Sequence, residues 1–195
     1  MSVSLIIDGI RVRDQRLEVD YVLTNADTRD LYVYNLVDDQ FAQLGARSDI
    51  PRDQLVQACR GAPGELVMLL GVPNAPNYGP AFMSFAPLFP RCRKLEAGRS
   101  YAAKLRAPLP LAEWTLYTGP ERSGPDVTRE PISSLRLIAE HVFADEAYHA
   151  APDAAAPLAW QVRSNVERHR VEVGASLAEL GLELCVNAKL LRFRV

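Results

Sequence analysis

Leu17-Glu18-Val19-Asp20-Tyr21-Val22-Leu23-Thr24 is the stretch that decides the fold class. Leu17, Val19, Tyr21 and Leu23 alternate with Glu18, Asp20, Val22 and Thr24. A period of two with mostly polar partners is the signature of a half-buried β-strand. Asn25-Ala26-Asp27 ends the run, because Asn and Asp side chains bond their own backbone and favour turns. Leu31-Tyr32-Val33-Tyr34 follows at once, rich in aromatic and β-branched residues. Two such runs joined by a short loop predict an antiparallel pair. A further strand is expected before them, over Val3 to Ile7.

The pattern continues outward. Glu65 to Leu70 is an apolar run after Gly61-Ala62-Pro63-Gly64. Leu55 to Arg60 reads either as a short helix between Asp49/Pro51 and Gly61 or as the first arm of a hairpin, and strand neighbours favour the hairpin. Ten of the fourteen prolines lie between Pro73 and Pro131, which disfavours central strands and helix interiors over most of that stretch. One island stands out there: a Leu95-Glu96-Ala97-Gly98 turn entering an alternating strand at Tyr101, Ala103 and Leu105. Ser134 to Phe143 permits a strand by alternation and a helix by propensity and capping, and its neighbours favour the strand. Ala147 to Pro157 reads as a loop or linker. Trp160-Gln161-Val162, Val171-Glu172-Val173, Leu180 to Val186 and a closing strand at Leu191 to Val195 make up the tail.

Composition narrows the class. The chain has 195 residues, 48% of them hydrophobic, and a net charge of -2, so it can bury a core without staples and is not disordered. Near-neutral charge lacks the electrostatic footprint of a nucleic-acid binder. Neither a secretory leader nor an apolar run long enough to cross a bilayer is seen, so a cytoplasmic protein without membrane attachment is expected. Cys59, Cys92 and Cys185 are odd in number and far apart, which fits three reduced thiols in or near the core.

Three phrases in order, Leu31-Tyr32-Val33-Tyr34-Asn35, Leu95-Glu96-Ala97-Gly98-Arg99-Ser100-Tyr101, and Pro108-Leu109-Pro110-Leu111 with Trp114 and Tyr117, carry a resemblance to a known group. Here the chain resembles uncharacterised bacterial immunoglobulin-like β-sandwich proteins and, more distantly, the bacterial intracellular proteinase inhibitors. The likeness spans roughly residues 15 to 145 and consists of structural punctuation, so it implies a fold and carries no functional residue. The antibody Cys…Trp…Cys pattern is absent. The expectation is all-β: an immunoglobulin-like antiparallel β-sandwich with a long Pro-rich insertion and a C-terminal extension. It forms one domain over residues 1–195, with 147–195 as an added segment.

Candidate chemistry is sparse. No dinucleotide, phosphate-loop, zincin or nucleophile-elbow motif is present, and no cofactor is expected. His141, Asp145 and His149 would share one face of a helix, at spacing that suits a divalent ion, whereas a strand would scatter them. Tyr78, Phe82, Phe85 and Phe89 on a Pro-rich loop, ending in Arg91 and Arg93, form the best binding candidate, set against the plainer role of rings that pin a loop. Arg168-His169-Arg170 reads as part of a mixed solvated face, since Glu167 and Glu172 flank it. The leading expectation is a non-catalytic module that binds a protein partner or itself through sandwich edges and end loops. The alternatives are a self-assembling subunit and a metal-binding protein or enzyme using His141, Asp145 and His149.

Overall fold

The computed structural model describes residues 2–36, 54–72, 91–114, 120–154 and 156–187. The candidate rings Tyr78, Phe82, Phe85 and Phe89, and the expected closing strand at Leu191 to Val195, lie outside them. The described residues hold fourteen strands: β1 (Val3–Arg13), β2 (Arg16–Asn25), β3 (Leu31–Leu36), β4 (Gln57–Arg60), β5 (Glu65–Leu70), β6 (Arg91–Leu95), β7 (Ser100–Pro108), β8 (Leu111–Ala112), β9 (Val127–Pro131), β10 (Ser134–Phe143), β11 (Ala147–Asp153), β12 (Ala156–Ser164), β13 (His169–Ser176) and β14 (Glu183–Asn187). Two 3-10 turns, Ala144–Glu146 and Ala178–Leu180, are the helical elements among the described residues.

The strands form an all-β sandwich. One layer is the sheet β1-β2-β7. The other is an eight-stranded sheet ordered β11-β12-β6-β3-β10-β5-β4, with β13 on the second side of β10. A smaller sheet, β8-β14-β9, adjoins it through paired bonds between Trp114 and Ala58. The alternation in β2 works as the sequence predicts. Leu17, Val19, Tyr21 and Leu23 face inward and share one apolar cluster with Leu66, Met68 and Leu70 of β5 and Leu135, Leu137 and Ala139 of β10. Each of these valine, leucine and methionine side chains contributes about 1.5–3 kcal/mol on burial.

The hairpin over Leu55 to Leu70 and the strand over Ser134 to Phe143 are both present. β10 runs parallel to β5, and β14 parallel to β8, so the pairing is not wholly antiparallel. The parallel pair β5–β10 is buried on both faces: Cys59, Val67, Leu69 and Ile138 form a second apolar cluster on the side away from β2. That double burial accounts for the unbroken apolar run Leu66 to Leu70.

Three expectations are corrected. First, β2 and β3 do not pair. β2 lies between β1 and β7, and β3 between β6 and β10. The short connection crosses from one layer to the other, and the β6–β7 turn crosses back beside it. Asn25, fully buried, holds the two crossings together. Its side-chain amide donates to the carbonyls of Arg29 at 2.8 Å, Leu95 at 3.3 Å and Glu96 at 3.2 Å, while its backbone N–H donates to Arg99 at 2.9 Å. Second, Ala147 to Pro157 is not a linker; most of it is β11 and the start of β12. Pro152 is tolerated because β11 is an edge strand, where a missing donor costs little. Third, the proline-rich middle still holds β6, an interior strand flanked by β3 and β12. The tail after Ala147 joins the sheets: β12 pairs β6 and β13 pairs β10.

Candidate functional site

The hairpin β11–β12 forms the outer end of the large sheet and gathers several residues singled out in the sequence. Among the described residues β11 pairs with β12 alone, so its far edge is unpaired. From Ala147 to Ala151 that edge reads Ala-Tyr-His-Ala-Ala, with no Lys, Arg, Asp or Glu. Tyr148 is 61% exposed and Leu158 on β12 is 68% exposed. Edge strands are usually guarded by charges or bulges. The opposite layer shows such guards: edge strand β1 carries Asp8 at a register bulge, then Arg11 and Arg13. β11 has a bulge near Tyr148 and Pro152 near its end, but no charge along its middle.

The hairpin is fixed at three points. At its tip Asp153 pairs with Arg91 at 2.8 Å. In its middle Trp160 lies opposite Cys92 and its ring sits 5.4 Å from that of Tyr32. At its root the 3-10 turn places Glu146 beneath β10. The Glu146 carboxylate accepts the backbone N–H of Phe143 at 3.0 Å, and both its oxygens lie 3.0 Å from His169 Nε2. Its backbone carbonyl accepts the Ser164 hydroxyl at 3.0 Å, tying the turn to the end of β12. Burial alone would raise the Glu146 pKa, but the Phe143 N–H, His169 and Arg29 outweigh it and hold it below the usual carboxylate value.

Arg29 completes the root. Its guanidinium lies 3.6 Å from the Phe143 ring centroid, bonds Asp27 at 3.1 Å and approaches Asp145 at 3.5 Å. The hydrogen bond from Arg29 is the main reason that the Asp27 carboxyl is held far below its ordinary pKa.

The proposed metal trio is not assembled. His141 is 3% exposed on the inner face of β10. Asp145 stands on the 3-10 turn facing Arg29, and His149 is exposed on β11. Residue 141 lies on a strand, so the helical i, i+4, i+8 face does not exist. Among the described residues no group of three or more His, Cys, Asp or Glu side chains is placed to hold a metal ion. What His141 meets instead is His169, its cross-strand partner on β13, at 5.4 Å between ring centroids. That pairing depends on register, so spacing within one segment of sequence could not reveal it.

Arg91 and Arg93 are both engaged within the chain. Arg91 anchors the hairpin tip, and Arg93 stacks its guanidinium 4.2 Å from the Tyr101 ring centroid. Arg168 and Arg170 lie on a partly solvated face of mixed charge, with side chains 27% and 39% exposed. Both donate to Glu140, buried on the outer face of β10, at 2.9 and 2.8 Å. The Val72 N–H adds a third bond at 2.8 Å. The thiols are free and buried. Burial pushes Cys59 up to about 12 and raises Cys92 as well, which leaves both as unreactive core thiols at neutral pH. An apolar recess of about 40 Å³ between Val56, Ala107, Leu111 and Trp114 has room for little more than a water or two. Comparison with known protein families, with curated proteins and with solved structures finds no match to this chain.

Proposed function

We propose that the chain is a non-catalytic protein-interaction or assembly module, an immunoglobulin-like sandwich of the bacterial cytoplasm, that takes a partner strand along the edge of β11. One observation carries this reading: β11 is an unpaired edge among the described residues, charge-free from Ala147 to Ala151, with Tyr148 and Leu158 exposed beside it. An open edge offers N–H and C=O groups that an extended segment can pair with, and exposed apolar side chains give that pairing a surface to cover. The partner is a protein or a second copy of the chain. Three free, buried thiols agree with a reducing compartment. The bacterial setting rests on the sequence resemblance alone. No nucleic acid, membrane or cofactor enters this reading.

The test combines sedimentation velocity of the purified chain with affinity capture from its native lysate. A dimer, or one stoichiometric partner, is expected for the wild-type chain. Ala150→Pro with Leu158→Lys removes an edge donor and charges the flank, and it is expected to abolish that association. A wild-type monomer with no stoichiometric partner would overturn the proposal.

A further inference from the structure

We propose that His141 and His169 form a proton-operated latch, which holds the root of the β11–β12 hairpin closed near neutral pH and releases it on mild acidification. The inference stands whether or not the β11 edge binds a partner.

The geometry comes first. The two histidines are directly opposed across β10 and β13, with ring centroids 5.4 Å apart. Phe143 packs edge-on against both, at 5.5 Å from His141 and 5.3 Å from His169. The Nδ1 of His141 is buried and has no hydrogen-bond partner. The ring is therefore accommodated as a neutral, largely apolar group.

The surroundings do not welcome a second positive charge. The 3-10 turn presents Glu146 and Asp145, β13 presents His169, and the β2–β3 connection presents Arg29 and Asp27. Asp145 and Asp27 face Arg29. Glu146 already serves the Phe143 N–H and His169 and lies 3.9 Å from Arg29. From β3 the residue opposite His141 is Val33, which has no charge to offer. Asp30, at the start of that strand, is paired with Lys94 at 2.7 Å. The facing layer contributes Val3, Leu5 and Leu23 to the same apolar cluster. Glu140, Arg168 and Arg170 satisfy one another on the opposite face of the sheet.

A proton taken from water by His141 is not compatible with this site: it creates a buried cation beside His169, with no acceptor at Nδ1. Relief comes when the end of β13 and the 144–146 turn part from β10 and the ring reaches solvent. Burial holds the His141 pKa down to about 4, and the neighbouring His169 lowers it too, with Glu146 a partial offset. A solvated histidine titrates near 6.5, so the open form takes the proton first as pH falls.

Amide hydrogen exchange on the full chain at pH 7.0 and 5.0, corrected for intrinsic rates, tests the latch. Protection over residues 141–149 and 166–171 is expected to fall about tenfold at pH 5.0, while residues 17–23 stay unchanged. His141→Phe keeps the aromatic packing without a titrating group and is expected to abolish the acid response. His169→Gln keeps a donor for Glu146 without the facing imidazole and is expected to shrink the response by about threefold or more. Equal behaviour of residues 141–149 and 17–23 in the wild-type chain overturns the latch, as does an acid response that survives in His141→Phe. Should that variant fail to fold, an undiminished response in His169→Gln overturns it instead.

Discussion

Glu18 and Glu140 occupy comparable places in the two layers: each lies mid-strand, on the face turned away from the shared core, and each is buried. Glu18 is covered by cations from its own sheet. Arg11 on β1 bonds it at 3.0 Å, Arg106 on β7 at 2.9 Å and Lys104 at 3.3 Å, and Asp20 extends the ladder through Lys104 and a close pair with Arg11. Burial would raise the Glu18 pKa, but hydrogen bonds from Arg106 and Lys104 outweigh it and hold it low. The cations on the two carboxylates are about equally exposed, Arg11, Lys104 and Arg106 at 41%, 29% and 27% and Arg168 and Arg170 at 27% and 39%, so the difference lies beneath the carboxylate. Glu140 is held by Arg168 and Arg170 too, but also by the Val72 N–H, and it packs on Gly71. Beside it run Val142, Tyr34 and Cys92 of a dry cluster. Burial raises the Tyr34 pKa strongly, as expected of a phenol in that setting. The same alternation thus yields a ladder of ion-paired side chains in one layer and, in the other, a carboxylate that also closes a buried backbone N–H.

The comparison predicts unequal costs. Glu140→Ala leaves the buried Val72 N–H without its acceptor and two part-exposed arginines without their partner, and is expected to lose about 2–3 kcal/mol in urea unfolding. A loss below about 1 kcal/mol would make the two sites equivalent. Acid comes next. The folded His141 pKa of about 4 lies below the unfolded value, so the unfolded chain binds the proton first. Stability is therefore full above about pH 6.5 and falls as pH drops toward 4, by about 1 kcal/mol per unit and about 2 kcal/mol by pH 4.5. His141→Phe is expected to flatten that slope in unfolding measured across pH. Gly71→Ala places a Cβ within 2.8 Å of the Glu140 side chain, which is pinned, and should cost about 1–3 kcal/mol. The cost should shrink in a Glu140→Ala background, since the clash partner is gone. Glu18→Ala is expected to cost about 1 kcal/mol or less, and less again in high salt, because its cations reach water. A salt-independent loss of several kcal/mol would break the distinction between the layers.

Much of the fold was legible because the relevant signal is local. The alternation of Leu17 to Thr24, the Gly98 turn before Tyr101 and the hairpin over Leu55 to Leu70 depend on side-chain period and turn chemistry, both written into consecutive residues. The layer change at Asn25 was not legible, because the same Asx turn serves a hairpin or a crossing. Nor was β11, whose alanines and proline look like a linker until an edge position removes the need for a donor. The site residues were found individually but with the wrong partners. His141 was set beside Asp145 and His149 by sequence distance, and lies against His169 by strand register. Arg168 and Arg170 read as part of a mixed solvated face, and they also close on a buried carboxylate that lies 28 and 30 positions away.

By itself, then, the sequence determined the strand class, the inward residues of β2 and β10 and the location of most turns, since backbone sterics and hydrophobic period act within a few residues. Tertiary structure alone decided which strands became neighbours, which edge was left open among the described residues and which of two buried carboxylates closes a backbone N–H. Those outcomes depend on register and layer packing, where a contact joins residues far apart in the chain and a shift of one residue reverses every face.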